Sequence, residues 1–231
     1  MNHKLTNDGS YPMIEITLSK GEEIMIERGS MVYHHGGISL EGKMNSNSGG
    51  FGGLVSALGR SMVSGESMFI TKAKGMSDGA RIAIAPDVPG TIKALEVSAN
   101  QQWRINDSAF LACDTTVAYE MKRQSAGKAL FAGTGGFFIM ETRGSGTLLV
   151  NAFGDLLELE VDGKKPLVVD NTHVVAWSGG LSYNIQVASG SFGFKTGEGL
   201  VNEFNGRGKV LIQTRNVRGL ASAISAHIPK G

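Results

Sequence analysis

The stretch IEITLSKGEEIMIERGSMVYHHGGISLE (residues 14–41) recurs in pattern as KALEVSANQQWRINDSAFLACDTTVAYE (93–120) and as LELEVDGKKPLVVDNTHVVAWSGGLSYN (157–184), at offsets of 79 and 64, with no gap needed. The apolar columns read Ile14/Lys93/Leu157, Ile16/Leu95/Leu159, Leu18/Val97/Val161, Ile24/Trp103/Leu167, Ile26/Ile105/Val169, Met31/Phe110/Val174, Val32/Leu111/Val175, Ile38/Val117/Leu181 and Leu40/Tyr119/Tyr183. Only Lys93 breaks the rule. Each copy is then one supersecondary module that buries its apolar face against the others. Such a repeat dictates architecture and leaves chemistry open.

Within each copy the first segment alternates with period two, as in Leu157-Glu158-Leu159-Glu160-Val161, which predicts a half-buried strand with one wet face. A polar turn follows (Ser19 to Glu23, Ser98 to Gln102, Asp162 to Pro166), then a second short apolar pair, so the segment is expected to close as a hairpin. The third element opens on two adjacent apolar residues, Met31-Val32, Phe110-Leu111 or Val174-Val175, which alternation cannot place on one face. A bulge or a strand covered on both faces explains them. Glycine pairs (Gly75 and Gly79, Gly144 and Gly146, Gly206 and Gly208) mark the corner before the last strand of each copy.

The fold class expected is all-β: three tandem modules in a single compact unit, with repeat 1 over 14–90, repeat 2 over 91–155, repeat 3 over 156–217 and a tail over 218–231. The difference between the offsets is an insert at 42–64 in the first copy, compatible with a short helix carrying Leu54, Leu58 and Met62, or with a lid or oligomer contact. A second helix is expected at the C-terminus, from Asn216 to Ile228, with Leu220, Ile224 and His227 on one face.

Composition narrows the function classes. The 33 glycines exceed the usual share of about 7%, which suits many turns between short strands. With 22 Lys and Arg against 21 Asp and Glu, no global field attracts nucleic acid or anionic lipid, so nucleic acid is not an expected partner. A single cysteine, Cys113, allows no internal disulfide and favours a reducing, cytoplasmic setting. The N-terminus shows no apolar core of a signal peptide, and no run of 18 apolar residues is present to span a bilayer.

Searches for catalytic and metal patterns end in ordinary structural readings. His34 and His35 adjoin, but neighbours on a strand point to opposite faces and cannot chelate one ion together without a bulge, and no HxH or HxxxH spacing accompanies them. There is no GxSxG elbow, and Glu158 and Glu160 read as the solvated face of a strand. The clusters Gly49-Gly50-Phe51-Gly52-Gly53 and Gly133-Thr134-Gly135-Gly136 lack the lysine of a P-loop. No catalytic residue, cofactor or metal is therefore assigned. A modest basic stripe remains at Arg207, Lys209, Arg215 and Arg218, where Lys209, Leu211, Gln213 and Arg215 would share one side of a strand and offer a site for an anion, RNA or a membrane surface.

From Gly197-Glu198-Gly199 through Gly206-Arg207-Gly208 to Gln213-Thr214-Arg215, the chain resembles the mitochondrial biogenesis proteins named for altered inheritance of mitochondria and their bacterial relatives, formerly a domain of unknown function. Gly29-Ser30-Met31-Val32-Tyr33, Gly65-Glu66-Ser67-Met68-Phe69, Pro89-Gly90 and Phe110-Leu111-Ala112 extend the likeness over nearly the whole chain. The resemblance implies a TRAP-like fold, that of the tryptophan RNA-binding attenuation protein, a compact variant of the double-stranded β-helix sandwich. It brings no catalytic residues with it, and likeness of fold does not transfer function. A non-enzymatic scaffold or binding protein that forms a homo-oligomer is the first expectation. The alternative is a small-ligand protein or enzyme with a pocket between repeats, using His34, His35, Cys113 or His173 beside a carboxylate.

Overall fold

The computed structural model describes residues 1–6, 11–44, 69–123, 138–188 and 199–228. A short strand β1 (Asn2–Leu5), with no forerunner in the repeat pattern, precedes β2 (Ile14–Leu18), β3 (Glu23–Glu27), β4 (Met31–His34), β5 (Ile38–Met44), β6 (Phe69–Gly75) and β7 (Ala80–Ile84). Next come β8 (Gly90–Val97), β9 (Trp103–Asn106), β10 (Phe110–Asp114), β11 (Val117–Arg123), β12 (Phe138–Gly144) and β13 (Gly146–Phe153). The last six are β14 (Leu156–Asp162), β15 (Leu167–Asp170), β16 (Val174–Ser178), β17 (Ser182–Val187), β18 (Leu200–Asn205) and β19 (Arg207–Gln213), followed by helix α1 (Val217–Ser225). The protein is all-β apart from this helix and two 3-10 turns among the described residues.

Four sheets form, in the orders β1-β2-β7-β4, β5-β6-β3-β10-β13-β8, β11-β12-β9-β16-β19-β14 and β15-β18-β17. The pairing recurs three times: β7 lies between β2 and β4 as β13 lies between β8 and β10 and β19 between β14 and β16. The two six-stranded sheets each contain a joint, β3 with β10 and β9 with β16.

One expectation fails in an instructive way: β2 and β3 do not form a hairpin. β2 pairs with β1 and β7, whereas β3 pairs with β6 and β10 in the next sheet. The intervening turn, tightened by the Ser19 N–H donating to Glu22 Oε2 at 3.0 Å, carries the chain across the sandwich. Ile14, Ile16 and Leu18 thereby face Ile24 and Ile26 in one core. Alternation is satisfied equally by a hairpin or a crossing; only the crossing makes the two apolar faces each other's cover.

Three apolar layers fill the spaces between sheets. The first joins Ile14, Ile16, Ile24, Ile82 and Leu149; the second Leu95, Trp103, Phe110, Leu148 and Val150; the third Val161, Trp177, Leu181, Phe204 and Val210. β13 serves two of them, with Leu149 on one face and Leu148 and Val150 on the other. The adjacent apolar pairs of the third element are explained twice over. The register slips between Met31 and Tyr33, Phe110 and Ala112, and Val174 and Ala176, and β10 and β16 are buried on both faces.

β14 departs from its pattern. Leu157 is 48% exposed and only Val161 of its apolar face is buried, and β14 is an outer strand paired with β19. The 42–64 insert from Asn45 onward, both glycine clusters and the Gly197-Glu198 pair lie outside the described residues. The C-terminal helix is present, capped by the Asn216 side chain accepting from Gly219 N–H at 2.7 Å, but none of its residues is buried and His227 falls beyond its end.

Candidate functional site

A cleft forms where the end of β13, the start of β8 and the end of β19 converge beside α1, a cavity of about 600 Å³. Its floor is a backbone crossing. Gly90 and Gly154 bridge in parallel, and the Gly154 N–H donates to Pro89 O at 2.9 Å. A Cβ on Gly90 would stand 1.8 Å from Ala152 O, so no side chain fits there. At Gly154 the φ of +77° favours glycine, and a Cβ would meet Thr214 Oγ1 at 2.5 Å. Thr91 Oγ1 donates to Gly154 O at 2.9 Å and completes the crossing.

The Gln213-Thr214-Arg215 run is brought onto this floor and its first two members are clamps. Gln213 Oε1 accepts from Phe153 N–H and its Nε2 donates to Thr172 O, both at 2.9 Å. Thr214 Oγ1 accepts from Asp155 N–H at 2.9 Å. His173 is fixed from both sides: Asn216 Oδ1 caps α1, so its Nδ2 donates to His173 Nε2 at 2.8 Å, which leaves Nδ1–H to donate to Gln213 O at 2.6 Å. Both ring nitrogens are thus engaged in structure. Arg215 differs, since its guanidinium reaches only Thr214 O, at 3.2 Å, and no carboxylate pairs with it among the described residues.

The remaining candidates are dispersed. Arg207 and Lys209 lie at the far end of β19, separated from Arg215 by the fully buried Leu211, so the stripe is interrupted. Lys209 is also committed: its Nζ sits 2.6 Å from Glu158 Oε1, and Lys93 sits 2.8 Å from Glu158 Oε2. Lys209 and then Lys93 hold the Glu158 carboxyl below its ordinary range. Lys93, the residue that breaks the repeat, therefore ties β8 to β14. Cys113 is buried in the second core, where desolvation, helped by Asp114, pushes its thiol up to about 12. His34 accepts from Gly36 N–H at 3.1 Å, and His35 lies edge-on to Tyr33 with ring centroids 5.3 Å apart. No group of three His, Cys, Asp or Glu is arranged to hold a metal among the described residues.

Gly208 serves packing, since a Cβ there would stand 2.9 Å from Ser178 Cβ, whereas Gly206 takes a φ of +109° that favours glycine. Gly154, His173 and Asn216 have no motif in the sequence; Pro89-Gly90 and Gln213-Thr214-Arg215 carried the signals, as stretches shared with the resembled family.

Residues 3–215 match the family described as mitochondrial biogenesis AIM24. The chain belongs to that family. It is 45% identical over 230 residues to an uncharacterized protein of Streptococcus pyogenes serotype M6 (strain ATCC BAA-946 / MGAS10394), covering 99% of this chain and 92% of the relative. The X-ray crystal structure of a protein from Streptococcus pyogenes is similar with a TM-score of 0.79 and 41% identity, covering 98% of this chain and 99% of that one. The AIM24 match ends at Arg215, the last residue of the Gln213-Thr214-Arg215 run, shortly before α1. No helix among the described residues is long and apolar enough to cross a membrane.

Proposed function

We propose that this AIM24-family chain is a non-enzymatic scaffold that assembles with further copies of itself, in a cytoplasmic setting consistent with its lone buried cysteine. The observation that supports the reading is a contrast within one column. Leu111 and Val175 are 0% and 1% exposed, while their counterpart Val32 on β4 is 50% exposed. An apolar strand that is core in two repeats lies open in the third. Sedimentation velocity at micromolar concentration tests it: species above the 24.4 kDa monomer support assembly, and a strictly monomeric particle sinks it.

A second reading, a small anionic ligand in the cleft, is favoured by Arg215, which lines it and has no carboxylate partner among the described residues. Titration calorimetry with inorganic phosphate and with a short dicarboxylate tests it. Saturable binding lost in Arg215→Ala supports the site, and the same heat from wild type and variant counts against it. RNA or membrane binding through the C-terminal strand has less support, since Leu211 divides the cations and Glu158 occupies Lys209.

A further inference from the structure

Two of the three joints that the repeat pattern calls for are made inside the chain, and the halves of the third are left at opposite ends of the sheet order. In the first joint β3 pairs with β10 through Ile26–Ala112, Met25–Cys113 and Ile24–Asp114. The second has β9 with β16 through Ile105–Ala176, Arg104–Trp177 and Trp103–Ser178. These are the same columns: the second strand of one repeat against the third strand of the next. The corresponding pair is β15 with β4, and each is the outer strand of its sheet among the described residues.

We infer that β15 of one copy pairs antiparallel with β4 of a second copy, in the register Val169–Tyr33, Val168–His34 and Leu167–His35. This rests on the self-assembly reading and specifies its interface. Joining the two outer sheets gives β17-β18-β15-β4-β7-β2-β1, which is the order β5-β6-β3-β10-β13-β8 of the internal sheets extended by β1. The continuity of strand order makes the second copy the occupant.

Side chains agree with the pairing. Val168 is 51% exposed on β15, matching open Met31 and Val32 on β4. Exposed edges are ordinarily blunted by charge, and β1, β5, β8, β11 and β14 carry Lys4, Glu41, Lys93, Lys122 and Glu158, while β17 is polar through Ser182, Asn184 and Gln186. β4 and β15 have no Lys or Arg, and the one acid, Asp170, turns back to accept from Thr172 N–H at 2.8 Å. The contact is heterologous, since different strands meet, so copies add head to tail into a ring or an open fibre instead of a twofold dimer.

Directly opposed residues on antiparallel strands have Cα atoms about 4.5 to 5.5 Å apart, within disulfide reach. Single variants His34→Cys and Val168→Cys are therefore oxidised separately and as an equimolar mixture, the native Cys113 being buried. A covalent dimer in the mixture and in neither variant alone, with a ladder of multimers from the double variant, is the expected result. A compact cross-linked monomer from the double variant would show that the chain closes on itself and would overturn the inference. Higher species in sedimentation without this cross-link overturn the register while leaving self-assembly standing. A monomer with no cross-link removes both.

Discussion

Gly90 shows how much a single position can demand. A methyl group there would stand 1.8 Å from Ala152 O and 2.7 Å from Gly154 N, and both are backbone atoms that cannot rotate away. Gly90→Ala is expected to cost about 3 kcal/mol, at the upper end of overpacking penalties, read as a lowered urea midpoint with an unchanged slope. Cys113 makes a different prediction. Its folded-state pKa of about 12 lies above the roughly 8.5 of an open chain. The native thiol is then protonated near neutrality, and a disulfide reagent should label it only as fast as the protein opens. Because the folded value is the higher, the stability linked to this group is full below the open-chain value and is lost as pH rises from there toward the folded one. Urea midpoints across that alkaline window should fall more steeply for wild type than for Cys113→Ala. That Gly90 is irreplaceable was not legible in the sequence, because the clashing atoms belong to residues more than 60 positions away.

Strands were far easier to read than their partners. Alternation in Ile14 to Leu18 and the doubled apolar residues at Met31, Phe110 and Val174 located strands and bulges correctly. The same alternation suggested a β2–β3 hairpin, because local sequence reports which face is apolar and not what covers it. The polar exception Lys93 gained its meaning only when β8 came beside β14. Its link through Glu158 to Lys209 is partly exposed, so Glu158→Gln should lower stability slightly, with the effect fading at high salt. The carboxyl's value is lowered, so its contribution is present at and above the ordinary carboxylate range and is lost as pH falls through the lowered value. Urea unfolding at low and high ionic strength, repeated toward acid pH, checks both points.

Assembly belongs to the chain as a unit, since it depends on which edges are left over after the internal joints are made. Val168→Asp places a charge on an already exposed edge, so the variant should keep the wild-type melting temperature and shift the sedimentation profile toward monomer. A fall in melting temperature without any change in sedimentation would count against the edge as a contact. By itself the sequence determined the all-β class, the bulge positions and the C-terminal helix, because these depend on neighbours a few residues apart. Only the tertiary structure decided which strands share a sheet, that Thr214, His173, Gly154 and Gly90 meet in one cleft, and that β4 and β15 stay open among the described residues. Those outcomes turn on contacts such as Ile14 with Ile84 or Phe153 with Gln213, made between segments 60 to 70 residues apart, and no period in the local sequence encodes them.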